Sequence, residues 1–116
     1  MRGKLGDKVR LLHILDAIQE IEVYFQDVEY TSFLSNSMLR FACIKQMEII
    51  GEASNHISDE IKNKFTSIQW AQIIGMRNVF VQEYFGIDST LVWDIIKNDL
   101  PELKSNIQLV YDSLHE

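Results

Sequence analysis

Apolar residues recur along this chain at alternating steps of three and four, and this spacing restricts its fold more than any other feature. The clearest series lies near the N-terminus, at Leu11, Ile14, Ile18, Ile21 and Phe25. Such steps place side chains on one face of an α-helix, whereas a half-buried strand would alternate. The 116 residues include one proline and five glycines, which leaves little material for the turns of a many-stranded fold. The pattern predicts an all-α helical bundle, and the length fits a single domain over residues 1–116.

The same spacing predicts two long antiparallel helices followed by shorter ones. We expect the long helices over about Asp7–Asp27 and Ser37–His56, with Thr31 or Ser32 capping a short turn between them. The later helices are predicted from local start and stop signals: the caps Ser58, Ser67 and Asp88, a stop at Gly86 and a start at Pro101. In chain order these helices cover about Asp59–Phe65, Ile68–Phe85, Asp88–Asn98 and Pro101 onward.

Two residues of the second long helix carry expectations of their own. Gly51 lies inside the helix, where glycine costs about 1 kcal/mol relative to alanine, so we expect it to permit the close approach of another backbone. Cys43 is the one cysteine, which rules out a disulfide within the chain and fits a reducing compartment. Because its surroundings are apolar, we expect Cys43 to belong to the core.

The net charge of −6 and the isoelectric point near 5.0 argue against a broad electrostatic grip on nucleic acid. A nuclease of this composition needs a local cationic site, or basic groups pooled from two subunits. No apolar run approaches the roughly 18 residues of a membrane span, and residues 1–8 lack the apolar core of a signal peptide. We therefore expect a cytoplasmic protein with no membrane association.

Arg77 interrupts an apolar stripe on a predicted helix. At 100° per residue, the stripe residues that fall within about 60° of it are Trp70, Ile74, Val81 and Tyr84. A guanidinium on such a face needs an anionic partner or a set of carbonyls. An ion pair with Glu48 or Glu52 would satisfy it, and so would a bound phosphate, which suits the planar fork of arginine.

The opposite side of that helix carries Ala71, Gly75, Asn78 and Gln82. Two small residues followed by two amides indicate either tight packing with satisfied amides or a close helix contact beside a polar pocket.

The stretch Arg77–Tyr84 also resembles the signature of the HepT-like toxins of the HEPN superfamily, in which four residues, the first usually Asn, separate Arg from His-x-Tyr. The similarity continues through other segments in the same order, namely Ile50–Ala53, Trp70, Ile73–Met76, Phe85–Asp88, Val92–Trp93 and Asp99–Leu103.

That resemblance implies a metal-independent ribonuclease toxin, acting on RNA such as tRNA, with its site at the cleft of a homodimer and with no cofactor or metal. It implies that Arg77 binds phosphate, that Asn78 orients the site and that position 82 is the acid or base. Its implied partner is a nucleotidyltransferase antitoxin that transfers AMP to Tyr84.

One departure from the family pattern concerns the chemistry. Gln82 stands where the family has histidine, and glutamine cannot exchange a proton near neutral pH. His13, His56 and His115 lie outside the motif, and we do not expect them to replace it. The chain is therefore expected to be a weakened or inactive ribonuclease; the alternative is a non-catalytic dimeric binding protein that keeps the antitoxin interface.

Overall fold

The structure, a computed structural model, describes the backbone of residues 2–82 and 89–114, and the side chains in those ranges except at 2–5, 76 and 78–82. Its helices are α1 (Arg2–Tyr24), α2 (Tyr30–Ser35), α3 (Ser37–Asn55), α4 (Asp59–Lys64), α5 (Trp70–Gln82), α6 (Ser89–Asp94) and α7 (Leu100–Ser113). A π-helical turn over Ile95–Asp99 joins α6 to α7. The described residues include no strand, so the predicted all-α bundle is confirmed. No described helix is both long enough and apolar enough to cross a bilayer.

Side-chain bonds at both ends fix the antiparallel arrangement of α1 and α3. The amide of Gln46 donates to the hydroxyl of Tyr24 at 3.3 Å, near the end of α1. Near the start of α1, the Asp7 carboxylate accepts from the backbone N–H and the hydroxyl of Ser58, at 2.8 and 2.6 Å. The two predicted long helices therefore run in opposite directions, as expected. Helix α7 packs beside α1, where Lys104 Nζ lies 3.0 Å from a carboxylate oxygen of Glu22.

The apolar stripes form the core as predicted. All five residues of the α1 series are buried, and Cys43 on α3 is fully buried. Burial raises the pKa of its thiol to about 12, so Cys43 is an uncharged core residue rather than a reactive thiol. The stripe of α7 is buried as well, through Leu103, Ile107, Val110 and Leu114. Leu91 on α6 is an exception among the apolar residues, since it is 47% exposed.

The predicted ends of α1 were wrong on both sides. The helix starts at Arg2, and Asp7 lies inside it; the Asp7 side chain is buried and bonds to Ser58, at the start of α4. The helix stops at Tyr24, and Asp27 soon afterwards has φ of 59°. This left-handed backbone is uncommon for a residue other than glycine, although aspartate tolerates it better than most. It redirects the chain towards α2.

The structure confirms some predicted caps and corrects others. The Ser58 hydroxyl accepts from Ile61 N–H at 3.3 Å, as predicted for α4. Thr31 and Ser32 are not caps, because they lie inside α2. The Asn36 side chain instead accepts from Leu39 N–H and starts α3. The predicted cap Ser67 was also wrong, since α5 begins at Trp70; the predicted features at Gly86 and Asp88 lie outside the described residues.

Pro101 does not separate two helices as predicted. It is the second residue of α7, and the chain from Ser89 to Ser113 is continuously helical. Proline has no N–H to donate, and the helix meets it with a wider turn in which Leu100 N–H reaches back five residues to the carbonyl of Ile95.

Candidate active site

Helix α5 presses against α3 at Gly51, and this contact positions Arg77. A methyl group built on Gly51 would lie 2.8 Å from Cβ of Arg77, 3.2 Å from its backbone nitrogen and 3.3 Å from the carbonyl oxygen of Ile73. These distances leave no room for a side chain. The predicted close approach at Gly51 is confirmed, and it places Cβ of Arg77 directly against α3.

The guanidinium of Arg77 is paired with Glu52, the residue after Gly51. Its Nη1 donates to Oε2 of Glu52 at 2.6 Å. The Arg77 side chain is 26% exposed and that of Glu52 is 57% exposed. Of the two carboxylates predicted as partners, Glu52 is therefore the one used, whereas Glu48 lies 3.9 Å from Lys45 Nζ. Arginine has five N–H donors, so pairing with one carboxylate oxygen is compatible with binding an anion from solvent.

A histidine shares the same carboxylate. His56 Nε2 lies 3.0 Å from Oε1 of Glu52, and the imidazole is half exposed. Glu52 thus joins an arginine from α5 and a histidine from the end of α3. Desolvation raises the pKa of Glu52, but the hydrogen bonds from His56 and Arg77 and the positive charge of Arg77 outweigh it. The pKa of this carboxyl lies below its ordinary value, and it is ionised at neutral pH.

Bonds outside this group hold the end of α3 in place. The backbone N–H of His56 bonds to the carbonyl of Ala53 and closes the last turn. Two residues further on, Ser58 is bound to the buried carboxylate of Asp7 from α1. His56 therefore lies in the turn between α3 and α4, and the bonds to Asp7 of α1 hold this turn in place.

The structure describes only part of the predicted site. The side chain of Arg77 has the position given above. Asn78 and Gln82 belong to α5, but their side chains lie outside the described part of the structure. Tyr84 falls outside the described residues. On the face predicted for close packing, Ala71 is exposed, and no described atom within 4 Å would meet a methyl group on Gly75. Among the described residues, the predicted close contact at these two positions does not occur.

Sequence analysis missed His56 as a member of this group. The available signal was its position four residues after Glu52, because such pairs face each other on a helix. The bond to Glu52 indicates a functional group only when Arg77 binds the same carboxylate. The packing of α5 against α3 determines that second bond, and local sequence does not reveal it.

A groove of about 460 Å³ opens elsewhere, between the start of α5, the π-helical turn and α7. Apolar side chains line much of it, including Ile73, Leu91 and Leu103. Arg77, Glu52 and His56 do not line it, so the charged group and the groove are separate features. Within residues 2–82 and 89–114, no three His, Cys, Asp or Glu side chains are grouped so that they could hold a metal ion.

Comparison with known proteins gives one consistent family. The profile of the family described as Ribonuclease HepT-like matches residues 14–110. A protein of Methanocaldococcus jannaschii provisionally named as an RNase is 38% identical over 93% of this chain and 99% of its own length. A protein of Thermococcus cleftensis provisionally named ribonuclease HepT is 34% identical over 90% of this chain and 96% of its own. No solved structure gives a significant match.

Proposed function

Because this chain belongs to the Ribonuclease HepT-like family, we propose that it is a ribonuclease that cleaves RNA without a metal ion. The observation that carries the proposal is the position of Arg77. It is a partly exposed guanidinium at a close contact between α5 and α3, inside the segment that matches the family. We propose tRNA as the substrate, on the resemblance to HepT toxins.

Arg77 is the phosphate-binding residue of this proposal. Its planar fork can bind two phosphate oxygens at once and can stabilise the charge that develops on them in the transition state. Asn78, its neighbour on α5, orients the site. Gln82 stands one and a half turns further along the helix, where the family has an acid or base. Since glutamine transfers no proton near neutral pH, cleavage by this chain is weak.

We also propose that the protein is a cytoplasmic toxin controlled by a nucleotidyltransferase antitoxin. The acceptor of AMP is Tyr84, seven residues after Arg77. Seven residues are close to two helical turns, so a continued helix would put the phosphodiester of the modified tyrosine on the side of Arg77. That anion would occupy the place of the RNA phosphate, and the adenosine would block access.

The proposed active unit is a homodimer with the site at the subunit cleft. Two copies of Arg77 would then offset the acidic composition where RNA must bind. The exposed Ala71 and the open space around Gly75 on α5 support a second chain lying against that face.

The experiment that tests this function compares Arg77→Ala with Lys45→Ala. Both variants remove one positive charge, and Lys45 is 70% exposed on α3. In an assay of bulk tRNA with a chelator present, Arg77→Ala should lower the cleavage rate by about 10²–10³, which is typical for loss of one transition-state donor. Lys45→Ala should cleave as the unaltered chain does. Equal rates for all three proteins would contradict the proposal and favour the non-catalytic binding protein.

A further inference from the structure

We propose that His56 is the general base for RNA cleavage in this chain, held in position by Glu52. This inference rests on the ribonuclease function proposed above, and it concerns a residue outside the segment that resembles the family signature. It changes the expectation from sequence that no other histidine takes part.

His56 and Arg77 share one carboxylate. One oxygen of Glu52 lies 3.0 Å from Nε2 of His56, and the other lies 2.6 Å from Nη1 of Arg77. In sites that transfer protons, a third group usually holds the nucleophile, base or acid in this manner. Glu52 is therefore a positioning residue for both side chains.

The contact with Glu52 selects one tautomer of His56. A carboxylate only accepts hydrogen bonds, so Nε2 of His56 carries the proton that Glu52 binds. In neutral imidazole the proton on one nitrogen leaves a lone pair on the other. By this assignment Nδ1 of His56 carries the lone pair. The side chain as a whole is half exposed, so an RNA strand can reach the ring.

The distance between His56 and Arg77 matters because the two side chains must act on one nucleotide. The two bonds to Glu52 and the width of a carboxylate place Nε2 of His56 within about 8 Å of Nη1 of Arg77, and Nδ1 lies across the imidazole ring from Nε2. A base acting beside a phosphate that Arg77 binds is separated from it by two hydrogen bonds of about 2.8 Å and by the oxygens around one phosphorus. The two lengths are of the same order.

The step is a transesterification. Nδ1 of His56 takes the proton of a ribose 2′-hydroxyl, and that oxygen forms a bond to the adjacent phosphorus, whose charge Arg77 stabilises. The bond from phosphorus to the 5′-oxygen breaks, and this oxygen takes a proton from water. The products are a 2′,3′-cyclic phosphate and a 5′-hydroxyl end, and no oxidant or metal is consumed. Water supplies the proton that an acid at position 82 would otherwise donate, and this accounts for weak cleavage.

The charged groups around His56 come from three helices. Glu52 faces it from α3 and Arg77 acts through that carboxylate from α5, whereas Asp7 of α1 is bound to Ser58 beside it.

The test compares the unaltered chain with His56→Gln, His56→Ala and the control His13→Gln. His13 is an exposed histidine on α1. Metal-free cleavage of bulk tRNA is followed from pH 5 to 8, and DNA serves as the substrate without a 2′-hydroxyl. We expect His56→Gln to lower the rate by about 10² or more. Added imidazole should restore part of the rate to His56→Ala, which a merely structural role would not allow.

The outcomes separate this inference from the proposed function. If the unaltered chain and His56→Gln cleave equally, and both exceed Arg77→Ala, His56 is not the base but the ribonuclease function stands. If the unaltered chain does not exceed Arg77→Ala at any pH, the ribonuclease function fails and the role of His56 fails with it. Thermal unfolding followed by circular dichroism checks that each variant is folded, and a folded His56→Ala that imidazole does not rescue would also overturn the inference.

Discussion

At the scale of single residues, the site depends on Glu52, because its two oxygens bind Arg77 and His56 at once. Its pKa is lowered in the folded chain, so the carboxylate contributes stability above the pKa of the unfolded chain and loses it as pH falls through the folded value. Sequence analysis predicted that Arg77 needs an anionic partner or a set of carbonyls, and it named Glu48 and Glu52 beside a bound phosphate. It could not choose between them, because that depends on the rotation of α5 against α3.

Tyr84 carries the residue-scale prediction about regulation. Incubation with the cognate nucleotidyltransferase, ATP and magnesium should add one or more AMP units, measured by intact-mass spectrometry. The gain should vanish in Tyr84→Phe and persist in Tyr111→Phe, which changes a half-buried tyrosine on α7. A gain of the same size in Tyr84→Phe would place the modification on another residue and remove the proposed blocking of Arg77.

At the scale of helices, the apolar stripes predicted which faces are buried, whereas the ends of the helices depended on distant partners. Asp7 was predicted to begin α1, yet it is buried against Ser58, 51 positions away in the sequence. Pro101 was predicted to begin a separate helix, yet a π-helical turn carries the chain through it. Local spacing does not contain this information, because a side chain that bonds across the fold is no longer available as a cap.

Gly51→Ala is the element-scale prediction. Alanine favours a helix by about 1 kcal/mol over glycine. The added methyl, however, would lie 2.8 Å from Cβ of Arg77 and close to backbone atoms of α5, which can move only if the helix moves. Overpacking of this kind costs about 1–3 kcal/mol, so we expect a net loss in the free energy of unfolding, measured in urea.

The matched control for Gly51→Ala is Gly6→Ala in α1, where no atom of the described residues lies within 4 Å of the added methyl. It should stabilise the protein by about 0.5–1 kcal/mol. Gly51→Ala proving as stable as Gly6→Ala would show that α3 and α5 do not press together at this point.

At the scale of the whole molecule, composition and site pull in opposite directions. The net charge of −6 repels RNA, while the proposed activity requires phosphate to bind beside Arg77. A dimer that pools two arginines in one cleft resolves this conflict locally, and a two-fold dimer is the commonest assembly of a single chain.

Light scattering at micromolar concentration tests the dimer. The unaltered chain should have twice the mass of the 13.5 kDa protomer. Ala71→Glu places a charge on the exposed face of α5 and should shift the mass towards the monomer. Asn63→Glu, which adds the same charge on α4, should remain dimeric. A monomer mass for the unaltered chain would argue against both the dimer and the shared cleft.

The central claim, that this is a ribonuclease lacking a proton-transfer group at position 82, is tested most directly by Gln82→His. Cleavage of bulk tRNA is measured without added metal for the unaltered chain, Gln82→His and the double variant Gln82→His with Arg77→Ala. Restoring a positioned acid or base should raise the rate by about 10²–10⁴, and the double variant should lose that gain because the phosphate is no longer bound. Equal rates for the unaltered chain and Gln82→His would contradict the account.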